Sequence, residues 1–304
     1  MLSVHDPAKR SLDPAGTPRA HCWMDVVAPT DAERAKLREL GVPDELVDDA
    51  LDTDELARVD HHESGVKLFV VRVPAEASAH TEVVPLGVVT LSSGSVVTIS
   101  AADTGIPALL AEAHTDATSP IRFSLHLALR VAERFVETLH LIEADIARLE
   151  QKLRGALENN EILALLEQQK RLVHLNAALD ANQLVLERAI DDDRLDLADA
   201  DRVLVEDVLV ELRQAGTMTR TAKELLGETM DALATVVSNN LNVAMKKLAS
   251  LTLLIALPSL FAGLYGMNVG LPFAREPHAL LGILAVAAVA VAALALVLWR
   301  RGWL

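Results

Sequence analysis

One file of oxygen-bearing side chains runs through the C-terminal third of the chain. Steps of three and four residues from Gln214 give Thr217, Thr221, Glu224, Glu228, Asp231, Thr235, Ser238, Asn242, Met245, Ala249, Thr252, Ala256, Ser259 and Gly263. On a helix such steps stay on one face. From Glu224 the file is acidic, then amide and hydroxyl, then small with two hydroxyls. Carboxylates draw cations and repel anions, and oxygen ligands suit hard cations such as Mg²⁺. Mg²⁺ gives up its waters reluctantly, so amide oxygens are suited to hold the hydrated ion through them. Asn242 inside the file and Asn268 just beyond it fit that task. Met245 and Leu248 add an apolar constriction that closes a path by dewetting.

The elements that position this file follow from apolar run length. Leu248–Ala274 carries no charged residue, and Ala279–Trp299 is apolar or small throughout. Each exceeds the roughly 20 residues that cross a bilayer. Lys246 and Lys247 precede the first run, and Arg300 and Arg301 follow the second. The positive-inside rule then puts both termini in the cytoplasm and the short connection outside. Polar groups in such a span face protein or a water-filled path. Two readings stand: a helix–helix seam, also rich in small residues and Ser/Thr, or a pore. The continuation as Asn242, Asp231, Glu228 and Glu224, outside any bilayer, favours the pore. Two spans cannot enclose a path, so a pore implies a symmetric homo-oligomer.

Upstream, residues 1–20 are rich in Pro, Asp and Gly and are expected to be poorly ordered. Residues 21–120 read as a cytoplasmic α/β domain, with strands near 21–27, 66–73, 83–91 and 95–100. Thr30 with Glu33 is a capping box opening a helix that Gly41 ends, and Pro43 opens the next. Ile106–His114 reads as a helix. Residues 121–247 form a helical stalk, with breaks near Glu158 and at Asp191-Asp192-Asp193. Its last helix starts near Asp199 and has no stop before Gly266. At about 1.5 Å per residue that is a rod on the order of 100 Å long. The remaining segments are a first membrane helix over 248–268, an outer loop over 269–278, a second helix over 279–299 and a basic tail over 300–304.

The formal net charge is -15, which argues against a nucleic-acid partner and makes cations the natural ligand class. The single cysteine, Cys22, excludes an intrachain disulfide and fits a reduced compartment. No signal-peptide core is present at the N-terminus. His61-His62-Glu63 is expected in a surface loop, since no partner stands at zinc-ligand spacing. His278 is read as an interfacial residue. No nucleophile elbow, phosphate loop or zinc-protease motif occurs, so no enzyme activity is expected.

Tyr265-Gly266-Met267-Asn268 before a loop, a second span and an Arg300-Arg301-Gly302-Trp303-Leu304 end resembles the CorA-type divalent-cation transporters. The likeness extends through Ser238-Asn239-Asn240-Leu241-Asn242, Met245-Lys246 and Pro258. It reaches back to Leu40-Gly41-Val42-Pro43 and Lys67–Val71, covering about residues 21–304. The resemblance implies an α+β domain with a mixed sheet and flanking helices, joined to a long stalk and two membrane helices in a funnel-shaped homopentamer of the cell (inner) membrane. It implies an outer ring of Asn268, shaped by Gly266 and Met267, that captures hydrated Mg²⁺. It also implies a pore lined by Asp231, Thr235, Ser238, Asn242, Met245, Leu248, Thr252, Ala256 and Ser259. Regulatory Mg²⁺ would bridge Asp49 and Asp207 of neighbouring protomers and hold the pore shut. Co²⁺ or Ni²⁺ would share the route. One departure leaves the ion open. Many magnesium-transporting members carry Met-Pro-Glu-Leu in the loop, whereas this loop reads Val269-Gly270-Leu271-Pro272 and includes Arg275. Loops of that kind resemble the zinc-transporting, ZntB-like branch, thought to use a proton gradient. A non-conducting membrane scaffold is the third alternative.

Overall fold

The structure, a computed structural model, describes residues 1–6, 11–14, 16, 21–77, 80–112, 119–155, 159–191, 198–267 and 278–303. The chain divides into two units, Met1–Leu226 and Gly227–Leu304.

The first unit is built on a seven-stranded sheet. Its strands are β1 (Leu2–Asp6), β2 (Ser11–Asp13), β3 (Trp23–Val27), β4 (Arg58–His61), β5 (Lys67–Ala77), β6 (His80–Thr90) and β7 (Val96–Ser100). Their order is β2-β1-β3-β7-β6-β5-β4. Only β3 and β7 pair parallel; the rest are antiparallel. The sheet is therefore mixed, as expected.

Strand alternation sends two apolar sets to opposite faces. One face carries Met24, Val26, Leu68, Val70, Val97 and Ile99. It packs on Leu37 of α1 (Asp31–Glu39) and on Leu46, Val47 and Ala50 of α2 (Asp44–Leu51). Contact here is close enough to demand glycine: a Cβ on Gly87 would lie 2.6 Å from the Ala50 Cβ. The Thr30–Glu33 capping box that opens α1 is formed. The other face carries Trp23, whose ring centroid lies 4.9 Å from that of Phe123. Phe123 belongs to α4 (Pro120–Gly155), preceded by α3 (Ile106–Glu112) and followed by α5 (Asn159–Asp191). Beyond β4, the outer edge of β5 has no strand partner. Asn182 of α5 covers it: its Oδ1 accepts from the Arg72 N–H and its Nδ2 donates to the Arg72 carbonyl, both at 2.8 Å. An edge strand closed this way offers no template to another chain.

The N-terminal expectation is corrected. Leu2–Asp6 and Ser11–Asp13 are strands rather than poorly ordered chain. The free edge of β3 recruits β1, with Leu2 opposite Val26 and Val4 opposite Met24. Glu33 then fastens the end: its Oε1 accepts from the Leu2 N–H at 2.7 Å, and its carboxylate lies 3.7 Å from the N-terminal ammonium, which also donates to the Val27 carbonyl. Composition registers the prolines and glycines, whereas ordering here comes from a partner edge and one carboxylate. The triplet at 61–63 is also revised in part: His61 ends strand β4, while His62 and Glu63 lie in the turn after it.

In the second unit, the long helix α6 (Asp199–Tyr265) ends, and α7 (Ala279–Arg300) follows. Both helices are long and apolar enough to cross a membrane.

Candidate ion path and cation-binding residues

Within the second unit, α6 has one covered face. Ser250 is fully buried, and Leu254, Leu257 and Phe261 are half-buried. The matching face of α7 runs through Ile283, Ala287, Leu294 and Leu298. The chain end seals this contact: Ser250 Oγ lies 2.8 Å from the Lys246 carbonyl and 3.2 Å from that of Trp303, donating into the pair. The Trp303 N–H in turn donates to the Leu298 carbonyl at 3.0 Å.

The polar file occupies the other side of α6. At about 100° per residue, Ala249, Thr252, Ala256, Ser259 and Gly263 lie roughly opposite the face that meets α7. Asp231, Thr235, Ser238, Asn242, Met245, Thr252, Ala256 and Ser259 are all exposed in the single chain. So is Leu248, at 66%. The hydroxyls are not free donors. Thr235 Oγ1 donates to the Asp231 carbonyl at 3.0 Å, Thr252 Oγ1 to Leu248 at 2.8 Å and Ser259 Oγ to Ile255 at 3.0 Å. With the proton committed to the backbone, each oxygen turns lone pairs outward. A file of acceptors suits a cation or the waters around it.

Gly266 and Met267 close the helix. Their N–H groups donate to the carbonyls of Ala262 at 3.0 Å and Leu264 at 3.3 Å. A Cβ on Gly266 would lie 3.1 Å from the Ala262 carbonyl oxygen, so the turn after the span favours glycine. Asn268 and residues 269–277 lie outside the described residues.

The two expected regulatory carboxylates are in the first unit. Asp207 is exposed on α6. Asp49 is not: Arg58 Nη2 donates to its Oδ2 at 2.5 Å. The same guanidinium lies 3.4 Å from Glu55 and 3.8 Å from Asp60. Sequence reasoning missed this arginine; a cation nine residues from Asp49, across a turn, was the available signal. Among the described residues of one chain, no group of three or more His, Cys, Asp or Glu side chains could hold a metal.

Comparison with known proteins decides the family. The family described as CorA-like Mg²⁺ transporter protein matches residues 19–301. The chain belongs to the CorA-like Mg²⁺ transporter family. A CorA relative, the cobalt/magnesium transport protein of Methanocaldococcus jannaschii, is 26% identical over 296 residues, covering 93% of this chain and 91% of the relative. The complete structure of the CorA magnesium transporter from that organism superposes with a TM-score of 0.84 at 23% identity, over 96% of this chain and 95% of its own. The full-length CmaX protein gives 0.70 at 15% identity, over 96% of each chain. The cytoplasmic domain of ZntB from Vibrio parahaemolyticus gives 0.61 at 9%, over 79% of this chain and 98% of its own. At these identities the structural likenesses establish the shared fold. Both membrane-length helices and the Gly266-Met267-Asn268 triplet lie inside the matched residues.

Proposed function

We propose that this CorA-like chain carries divalent cations across the cell membrane, with Mg²⁺ as the principal ion and Co²⁺ or Ni²⁺ sharing the route. The observation that carries the reading is the placement of the polar file on the side of α6 turned away from α7. A polar face in lipid needs another copy of the chain or water. A homopentamer supplies both, with five copies of the file around one path. Asn268 captures the hydrated ion at the outer mouth, Asn242 and the hydroxyls pass it on, and Asp231 draws it inward. Met245 and Leu248 form the dewetting constriction. Lys246, Lys247, Arg300 and Arg301 hold both termini in the cytoplasm. Removing the Asn268 amide tests the reading: Asn268→Ala is expected to abolish or strongly reduce uptake into proteoliposomes. Unchanged uptake would favour a non-conducting scaffold.

Control is assigned to Asp49 and Asp207 of neighbouring protomers. Bound Mg²⁺ bridges them, and its loss leaves carboxylates that repel. Asp207→Lys is expected to weaken Mg²⁺-dependent protection against proteolysis, and full protection in that variant would remove the site. The loop sequence favours a second reading, Zn²⁺ moved with protons. Flux measured with and without a pH gradient separates the two: Mg²⁺ flux indifferent to the gradient supports the first, and Zn²⁺ flux that follows it supports the second.

A further inference from the structure

The α4 face of the sheet carries a cavity of about 280 Å³ that transport does not explain. Its floor is built by register. Lys67 and Thr90 are cross-strand partners on β5 and β6. One step along, Val59, Phe69 and Val88 form the next row. Directly opposed residues share a face, and residues two apart along a strand return to it. The floor is therefore polar along one row and apolar along the next. The roof is apolar: Ile121 and Leu125 from α4, Leu186 from α5 and Val205 from α6.

The polar row is poised for an anion. Lys67 lines the cavity, and among the described residues its ammonium has no hydrogen-bond or ion-pair partner. Thr90 stands directly across from it. Ser124, on the roof, already donates to the Pro120 carbonyl at 2.9 Å. An apolar cavity with a few convergent polar groups is the usual form of a small-molecule site. A solitary ammonium at one end selects one class, a short amphiphile with an anionic head and a hydrocarbon tail. We propose that the cavity binds such a molecule, an acyl carboxylate, with its head at Lys67 and Thr90 and its tail over Val59, Phe69 and Val88 beneath Leu186 and Val205. The site is independent of the ion path.

The test uses the full-length chain in lipid nanodiscs, with radiolabelled octanoate in equilibrium dialysis and empty nanodiscs as background. Saturable binding at one site per chain is expected. Lys67→Gln should weaken it about tenfold, the loss of about 1.4 kcal/mol. Lys67→Glu should reverse the charge preference, so that octylammonium outcompetes octanoate. Val59→Phe, on an edge strand, should fill the cavity and remove binding, with the melting temperature reporting that the fold is intact. No saturable binding above empty nanodiscs overturns the proposal. So does binding that is equal in wild type, Lys67→Glu and Val59→Phe. A third outcome also overturns it: no octanoate bound and an oligomeric state altered by Val59→Phe, which would assign the cavity to a second copy of the chain.

Discussion

Three carboxylates in the first unit respond to their surroundings in different ways. Asp25 is almost fully buried beside Thr98, whose Oγ1 donates to its Oδ1 at 2.6 Å. Burial pushes its pKa up to about 6; the Thr98 hydrogen bond opposes this, and the charge of Asp103 adds to it. The folded state thus holds this proton more tightly than the unfolded chain. Ionised Asp25 destabilises the fold above about pH 6, and the penalty is relieved as pH falls toward the unfolded value near 4. The difference is on the order of 2–3 kcal/mol. Asp25→Asn should remove that part of the pH dependence from thermal melts and raise the melting temperature at neutral pH. Glu33 has the opposite sign. Hydrogen bonding from the Thr30 N–H, the largest cause, holds it down to about 2. Its contribution is present above the unfolded value near 4.5 and is lost as pH falls from there through about 2. The third is Asp49, neutralised by Arg58. If the Asp49–Asp207 bridge forms, the guanidinium competes with the bridging ion. Arg58→Gln should then shift the Mg²⁺ midpoint for proteolytic protection several-fold lower; an unmoved midpoint would separate Arg58 from regulation.

At the scale of elements, one side-chain amide closes a sheet. Asn182→Ala strips the Arg72 N–H and carbonyl of their partners, and each buried group left unpaired costs about 1–3 kcal/mol. A melting temperature lowered by several degrees is the expected result, and Asn182→Asp should restore less than half of it, since a carboxylate cannot donate. The long helices were legible from periodicity and punctuation: the described helices run Pro120–Gly155, Asn159–Asp191 and Asp199–Tyr265, and the breaks expected near 158 and 191–193 fall largely outside the described residues. Four strands were legible from β-branched runs. β1, β2 and β4 were not, because short strands are defined by the edges that receive them. For the same reason the Asn182 latch and the Arg58–Asp49 pair were invisible: both join residues through a turn or across 110 positions. The polar file was legible in full as a periodicity. Its position opposite the α7 contact was not, because sequence does not say which face a neighbouring helix takes.

For the molecule as a whole, the exposed polar file calls for more than one copy of the chain, and the function proposed above makes that assembly a pentamer. One copy leaves Asp231, Asn242, Thr252 and Ser259 exposed on a helix with membrane-length apolar faces. Native mass spectrometry from detergent should give a pentamer, and Asn242→Leu should lower flux at least tenfold without changing that mass. A monomer or dimer would refute the shared path. The hydroxyls of the file carry one more consequence. A proton hops along a chain of hydroxyls only where each can give up its own hydrogen as it takes the next. Thr235, Thr252 and Ser259 have each committed that hydrogen to a carbonyl one turn back. While those bonds are kept, the three side chains cannot themselves relay a proton, so on the proposed pore reading protons crossing beside a cation would travel through water.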